Sequence, residues 1–464
     1  MAKWTLKEIA SAVDGKLIGG DDNLKIEGVS FDTRSLQPSD LFIPLTAERN
    51  GHDFIKAAIE KGAAASFWSD DTEKAPEGFP IIAVEDTEKA FQNFAQYYLN
   101  KVGPKVIGIT GSNGKTTTKD MVAAVASARY RTYKTVGNFN NHLGLPFTIL
   151  NMPEDTEVLV LEMGMSERGE IEVLSQLAHP DIAVITMIGE SHIEFLGSRD
   201  AISEAKLEIV KGMSNGILIY PGKEPLLQDK IAAGYVDATV GKRLTFGKEE
   251  GVDLYPLTVE ARLRQTVFTT NADPKQACTL PVPGIYNVQN ALAAILVGKE
   301  IGISDTEAYV QLENFELTKN RLEWIDGING STLLNDAYNA SPSSMKAVLR
   351  YFQEIDVPKR KVIVLGDVLE LGEHSRVMHE SLSEAIDPKK ADLIVLYGKD
   401  MKALYDKLLP QMDDQTLQHF EGNKQPLVDY LTKQIQKDDT VLLKSSLSTG
   451  MLEVVTKLRH GDEG

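Results

Sequence analysis

Apolar residues recur along this chain in two rhythms, and the rhythm changes twice. Up to about residue 102 the elements are short and mixed. An amphipathic helix is predicted near Phe54–Lys61 and a strand at Ile81–Val84. Gly103-Pro104 then breaks the pattern and marks a boundary. The second stretch opens with an apolar strand at Val106–Ile109, a glycine-rich turn and a helical pattern from about Thr116 to Ala128. Runs at Val158–Leu161 and Ile182–Ile188 have the unbroken apolar character of parallel strands buried on both faces. Asp253–Ala272 alternates, as an antiparallel edge does, and Pro281–Gly284 leads into a helix at Asn287–Ile301. From near Thr318, strand patterns (Thr332–Leu334, Val362–Leu365, Leu393–Leu396, Val441–Leu443) alternate with helical ones, among them Ser343–Phe352 and Lys424–Gln436. Such alternation predicts right-handed βαβ units in a doubly wound sheet. The expectation is an α/β protein of three domains, at 1–102, 103–317 and 318–464.

Bulk properties narrow the function. A length of 464 residues suits about three domains. With 42% hydrophobic and 25% charged residues, the chain has the composition of a folded globular protein. Its net charge of −18 repels a polyphosphate backbone, which argues against nucleic acid as a partner. Any anionic substrate must be held by local cations and backbone N–H groups. A lone cysteine, Cys278, rules out an intramolecular disulfide and fits a reducing compartment. Lys3, Lys7 and Glu8 interrupt what would be the apolar core of a signal peptide. No apolar run nears the roughly 20 residues of a membrane span. The expectation is a cytoplasmic protein with no stable membrane insertion.

The strongest chemical signal is Thr110-Gly-Ser-Asn-Gly-Lys-Thr-Thr117 between a strand and a helix. Gly111 and Gly114 let the backbone close around phosphate, with Ser112 and Asn113 in the turn and Thr117 in the first helical turn. The helix start offers free N–H groups and a positive dipole end. Lys115 is placed for the terminal phosphates of ATP and the Thr116 hydroxyl for Mg²⁺. Ile109 stands where the longer form of the motif has glycine, so the match is to the shorter G-x-x-G-K-T form. The bland alternative is a glycine-rich turn that binds nothing. Glu162 ends a predicted strand and suits Mg²⁺, which takes oxygen ligands; on its own, such a residue is more often merely solvated. His192 follows the strand at Ile182–Ile188, at the end where open α/β sheets place ligands, although a lone histidine is usually structural.

Beyond this loop the chain resembles the Mur ligase family along almost its whole length. The landmarks are Ser30-Phe-Asp-Thr-Arg34, the phosphate loop, Gly137-Asn-Phe-Asn-Asn-His-Leu-Gly-Leu-Pro146, Glu162-Met-Gly164, Ala205-Lys206, Asn287-Val-Gln-Asn290, Asn320-Arg-Leu-Glu323, Asp336-Ala-Tyr-Asn-Ala-Ser-Pro342 and Leu365-Gly-Asp-Val-Leu-Glu-Leu-Gly372. The resemblance implies a first domain that binds a UDP-muramoyl peptide, a central P-loop ATPase domain and a Rossmann-like third domain that closes over both. Within the family, Asp336–Met345 and Leu365–Gly372 point to the joining of D-alanyl-D-alanine to UDP-N-acetylmuramoyl-tripeptide through an acyl phosphate, releasing ADP and phosphate. Lys115, His192, Lys206 and Arg321 are then the expected catalytic side chains. Lys206 matches a lysine that the family carries as a carbamate, which would join Thr116, Glu162 and His192 around the metal. A helix at Asp200–Met213, with Ile202, Ala205 and Ile209 as its apolar stripe, puts Lys206 at the stripe's edge; without the resemblance, a solvated lysine is the simpler reading.

Asn287 and Asn290, three apart on one helix face, suit adenine; capping is the alternative for Asn287. The resemblance assigns Arg321 to the γ-phosphate and Asp336 to the ribose. Asn138 and Asn141 would face the nucleotide or the acceptor sugar. Ser30, Thr33 and Arg34 suit the uridine diphosphate end, with Asn50 and His52 in a second contact loop. Asn339 and Ser341 are candidates for the dipeptide. Three departures stand out: Tyr286 in place of a histidine, Ser341 in place of an asparagine, and Lys444-Ser-Ser-Leu-Ser-Thr-Gly-Met451 in place of a shorter arginine-bearing segment. A folylpolyglutamate-synthase-like ligase would share the later domains but not the first hundred residues. A nucleotide-dependent switch is the alternative from another class. A monomer is the default expectation.

Overall fold

The structure is a computed structural model that describes residues 4–46 and 49–460. Three α/β sheets follow one another along the chain. The first runs in the order Lys16–Ile18, Ile81–Ala83, Ala65–Trp68, Asp40–Phe42, Gly28–Ser30; only its first strand is antiparallel. The second has six parallel strands, ordered Val240–Phe246, Gly216–Pro221, Ile182–Ile185, Lys105–Thr110, Val158–Glu162, Thr132–Lys134. The third also has six, ordered Glu323–Asp326, Thr332–Asp336, Thr440–Lys444, Lys361–Gly366, Leu393–Tyr397, Leu417–Phe420, with only Glu323–Asp326 antiparallel.

The period-2 strand pattern explains why both faces of the central sheet are covered. Ile107, Ile109, Val158, Val160, Ile182 and Val184 pack with the helices Lys115–Ala126 and Tyr286–Glu300. Val106, Leu159, Leu161, Ala183 and Ile185 belong to the apolar core on the opposite face. The chain lays down strands on one side of Lys105–Thr110 and then crosses to the other. This switch point opens a crevice at the strands' carboxyl ends, where such sheets bind ligands.

Several elements differ from the expectations. Asp253–Ala272 is not an edge of the central sheet; it forms Pro256–Ala261 and Thr266–Thr270, which join Cys278–Leu280 in a separate antiparallel sheet. The strand expected to reach Ile188 ends at Ile185, because the following backbone and the Thr186 side chain turn to serve the phosphate loop. The helix expected over Asp200–Met213 is α-helical at Arg199–Leu207 and then tightens into a 3₁₀ turn at Glu208–Val210. A helix at Thr87–Val102 was not foreseen. Asp86 caps its start, Gly103 ends it in the left-handed region (φ 63°), and Ala90, Phe91, Phe94, Ala95, Tyr98 and Leu99 form its buried stripe. It joins the first and central sheets: the Tyr98 hydroxyl donates to the Met152 carbonyl at 2.9 Å. Among the described residues, no helix is long and apolar enough to cross a membrane.

Candidate active site at the phosphate loop

The phosphate loop takes its shape from two glycines. Gly111 has φ 148°, and a Cβ there would lie 1.9 Å from Thr186 Oγ1. Gly114 has φ 82°, and a Cβ would lie 2.6 Å from Asn290 Oδ1. A side chain at Gly111 is therefore excluded by both conformation and space, and one at Gly114 is strained by conformation and would displace the Asn290 amide. The loop is also braced from outside. Thr186 donates to the Asn113 carbonyl at 2.5 Å, Ser191 to the Ser112 carbonyl at 3.1 Å, and the Ser112 N–H to Met187 O at 3.0 Å. Gly114 caps the helix Lys115–Ala126 without a side-chain bond. The first-turn N–H groups of Lys115, Thr116 and Thr117 are thus left for an anion.

These residues border a cleft of about 770 Å³ between the central and third sheets. Ser112, Asn113, Gly114, Lys115, Thr116 and Thr117 line it, as do Glu162, His192, Asn287, Asn290, Arg321, Asp336, Asn138, Asn141 and Asn339. Lys115 folds back and donates to the Gly111 carbonyl at 2.9 Å. Burial pushes its pKa down; Glu162 opposes this and Arg321 adds to it. Arg321 lies 4.8 Å above the Tyr338 ring, and its buried Nε has no partner. Lys115 and Arg321 repel each other across the cleft, and a polyanion between them would relieve that repulsion.

Glu162 is 3% exposed. Its Oε1 accepts from Asn140 Nδ2 at 2.9 Å, while Oε2 is buried with no partner. An orphaned carboxylate oxygen facing the cleft suits a cation. Asn140 was not foreseen: its partner is 22 residues away, so no local pattern announces it. Lys206 departs from the expected stripe edge and is fully buried at 0% exposure, with no partner for Nζ. Burial, and then Lys115, push its pKa well below the ordinary value. The tightening of its helix into the 3₁₀ turn accompanies this inward placement.

His192 has φ 65°, and its Nδ1 lies 2.6 Å from Glu370 Oε2, short of hydrogen-bond alignment. Glu370 belongs to the third sheet's Leu365–Gly372 segment. The His192 ring holds its carboxyl below the ordinary value, and Lys115 contributes. Among the described residues, no group of three or more His, Cys, Asp or Glu side chains is arranged to hold a metal alone.

Elsewhere the expected residues have other partners. Asn287 is not a cap: it is buried, its Nδ2 donates to Pro283 O at 2.6 Å, and its Oδ1 accepts from Asn290 at 3.1 Å. Asp336 accepts from Lys444 Nζ at 2.5 Å and from the Leu322 N–H at 3.2 Å. Ser341 caps the helix Pro342–Glu354 and exchanges hydrogen bonds with Asn113 (2.8 and 3.0 Å), which clasps the phosphate loop to the third sheet's first helix. Asn141 accepts from the Gly144 N–H at 2.9 Å, and Asn339 from the Ala340 N–H at 2.9 Å.

The first-domain candidates lie off the cleft. Ser30 donates to Asp32 O at 2.9 Å, and exposed Arg34 makes a forked pair with Asp32, whose pKa it lowers. Thr33, between them, is half-buried. His52 is enclosed: Nδ1 pairs with Asn50 Oδ1 at 2.8 Å and Nε2 accepts from the Ser69 N–H at 3.1 Å. Phe31 links this group to the Gly137–Pro146 segment and the helix Gly144–Asn151 by edge contacts with Phe139 and Phe147 at 6.4 and 5.4 Å.

Comparisons with known proteins agree over the whole length. Residues 25–99 match the catalytic domain of the Mur ligase family, 109–298 the Mur ligase middle domain and 320–447 the Mur ligase glutamate ligase domain. The UDP-N-acetylmuramoyl-tripeptide–D-alanyl-D-alanine ligase of Bacillus subtilis is 42% identical over 461 residues, covering 99% of each chain. MurF of Acinetobacter baumannii superposes with a TM-score of 0.85 at 27% identity, covering 98% of this chain and 99% of its own. MurF of Thermotoga maritima, solved in complex with ADP, gives 0.78 at 26% identity, covering 93% and 96%. Sequence, sheet order and the phosphate loop bordering the cleft converge on one conclusion: this chain belongs to the Mur ligase family.

Proposed function

We propose that the chain joins D-alanyl-D-alanine to UDP-N-acetylmuramoyl-tripeptide, with cleavage of ATP to ADP and phosphate. The carrying observation is the phosphate loop, with Lys115 and Arg321 converging on a cleft that both later sheets line. The names of the matching relatives supply the substrates. The units 1–102, 103–317 and 318–464 divide the work: acceptor, nucleotide, and closure over both. The match of residues 25–99 to the family favours this reading over a folylpolyglutamate-synthase-like ligase. ATP dependence argues for the cytoplasm, and the working unit is a monomer.

In the first step an oxygen of the tripeptide's terminal carboxylate attacks the γ-phosphorus, and the bond to the β-bridging oxygen breaks. Both reactants are anionic, so rate comes from placement and charge stabilisation. Lys115 follows the transferring phosphoryl group, and Arg321 meets it from the third unit. The dipeptide amine then attacks the acyl carbon, loses a proton, and phosphate leaves. Asn339 sits at the cleft for the dipeptide, and Asp336 for the ribose once Lys444 shares it. Thr116, Glu162 and His192 would hold Mg²⁺, for which the orphaned Glu162 oxygen fits. When bound, the cation supplies charge neutralisation between the phosphates. Burial favours the neutral form of Lys206, the form that reacts with carbon dioxide, and its carbamate would add a carboxylate to the same set.

The test is ADP formation from ATP, D-alanyl-D-alanine and each of two muramoyl tripeptides, ending in lysine or in diaminopimelate. Turnover should require both substrates, and Lys115→Ala should lower it by about 10²–10³-fold or more. Phosphate release that ignores the dipeptide would sink the proposal.

A further inference from the structure

The Leu365–Gly372 segment does more than line its own sheet. It leaves the strand Lys361–Gly366 and is tied down at each step. The Val368 N–H donates to His379 Nε2 at 3.1 Å, inside a fully buried pocket. The Leu369 N–H donates to Ser446 Oγ at 3.0 Å, and the Ser446 N–H donates back to Asp367 O at 3.1 Å. Ser446 belongs to the altered segment Lys444–Met451, which therefore serves as the brace. At the tip, Glu370 adopts φ 62°, strained for a residue with a side chain. The tip reaches the central unit: the Glu194 N–H donates to Glu370 O at 3.3 Å, and Gly372 lies so close to Glu194 that a Cβ would meet its side chain at 3.0 Å. His192, also at positive φ, meets the Glu370 carboxylate there through Nδ1.

Two strained backbones thus hold one carboxylate against one imidazole across the boundary between two units. With Nδ1 turned to Glu370, Nε2 is the ring nitrogen left for a cation. Metal-binding histidines commonly give their other ring nitrogen to a carboxylate, which fixes the tautomer and the ring direction. Hydrogen bonds of this kind often align fully only when the ligand is present.

We propose that Glu370 is a positioning residue for the ligation: delivered by the third unit, it orients His192 so that the cation at the phosphate loop is held tightly only when that unit is docked. This rests on the reading of His192 as a cation ligand. The probe is Mn²⁺ binding to the full chain saturated with a non-hydrolysable ATP analogue, read by electron paramagnetic resonance of free Mn²⁺. Glu370→Ala should weaken Mn²⁺ by about 10–100-fold, and Glu370→Gln, which keeps an acceptor, by less. Glu373→Gln, on the same loop and exposed, removes an equal charge and should stay within about twofold, a bound set by the weak effect of exposed charges. His192→Ala combined with Glu370→Ala should lose no more than the worse single variant, since the two act through one contact. Nitrogen NMR of the histidines should show His192 protonated at Nδ1 in the parent chain and a tautomer mixture in Glu370→Ala.

Three results would overturn the proposal: a Glu370→Ala affinity within twofold of the parent, an equal loss in Glu373→Gln, or single losses that simply add. The ligation assay on the parent chain separates this from the proposed function. Intact coupling without ligation would remove the ligase reading and leave the Glu370–His192 contact standing.

Discussion

Lys115 and Lys206 are two lysines with lowered pKa values in different settings. Lys115 borders the cleft and waits for an anion; Lys206 is sealed with no partner for its nitrogen. Burial lowers both pKa values. For Lys115, a bound triphosphate adds negative charge and raises the pKa again, so nucleotide binding should take up protons in the range between the lowered pKa of the free site and the raised one of the complex. ATP affinity should then fall as pH rises, and calorimetry in buffers of different ionisation enthalpy should show the uptake; none would contradict the depressed pKa. For Lys206 the folded pKa lies below the unfolded one, so the unfolded chain binds more protons. Stability should rise with pH until the unfolded lysine also deprotonates. In buffer free of carbon dioxide, Lys206→Met should stabilise the fold at neutral pH by about 1–3 kcal/mol, because a buried unpaired polar group is removed, while ligation is lost. Denaturant unfolding measures the first effect and ADP release the second. At this scale the phosphate loop is legible because its motif is contiguous, and Glu162 because it ends an unbroken apolar strand. Asn140, Thr186 and Asp120 were not, because their partners stand 22, 73 and 198 residues away.

Among elements, the long apolar strands and the helices that follow them were legible by period. Strands of three residues, such as Lys16–Ile18 and Gly28–Ser30, carry too few positions to show one. The helix Thr87–Val102 has readable caps and an i, i+3, i+4 stripe, but the short strands before it mask its period. The start of Pro342–Glu354 shows how a departure from the family is absorbed. Ser341 replaces asparagine, and both residues are good caps. Ser341→Asn should therefore leave stability within a few tenths of a kcal/mol. Ser341→Ala should cost about 1 kcal/mol in urea unfolding and raise the KM for ATP by loosening the clasp on Asn113. Equal stability of the alanine variant would show that the cap bond contributes nothing.

In the whole molecule, three α/β units in a row are expected from the changes in rhythm, and three α/β sheets are present among the described residues, with two small antiparallel additions, Trp4–Thr5 beside Lys25–Ile26 and the three strands from Pro256 to Leu280. How they meet was not legible, because packing between units depends on contacts far apart in sequence. The helix Thr87–Val102 fastens the first unit to the central one, and the apolar cluster it belongs to runs on into Leu334, Met345 and Leu365 of the third, so closure must repack that last share. X-ray scattering should show compaction when the ATP analogue and muramoyl substrate are both present. Asn113→Ala, which cuts the clasp, should reduce that compaction while the chain remains folded. An unchanged scattering profile on saturation would argue against closure.

The stretch entering the third unit is fastened in an unexpected place. Thr318 donates both its N–H (3.0 Å) and its hydroxyl (2.8 Å) to Asp120, which lies on the helix Lys115–Ala126 and is also held by Lys134 at 2.7 Å. On the proposed reading, the helix that would grip the triphosphate at its head carries, one turn further on, the axle about which the third unit would swing. A small rotation of that helix as the nucleotide seats would be felt at the axle directly, with no relay of intermediate parts.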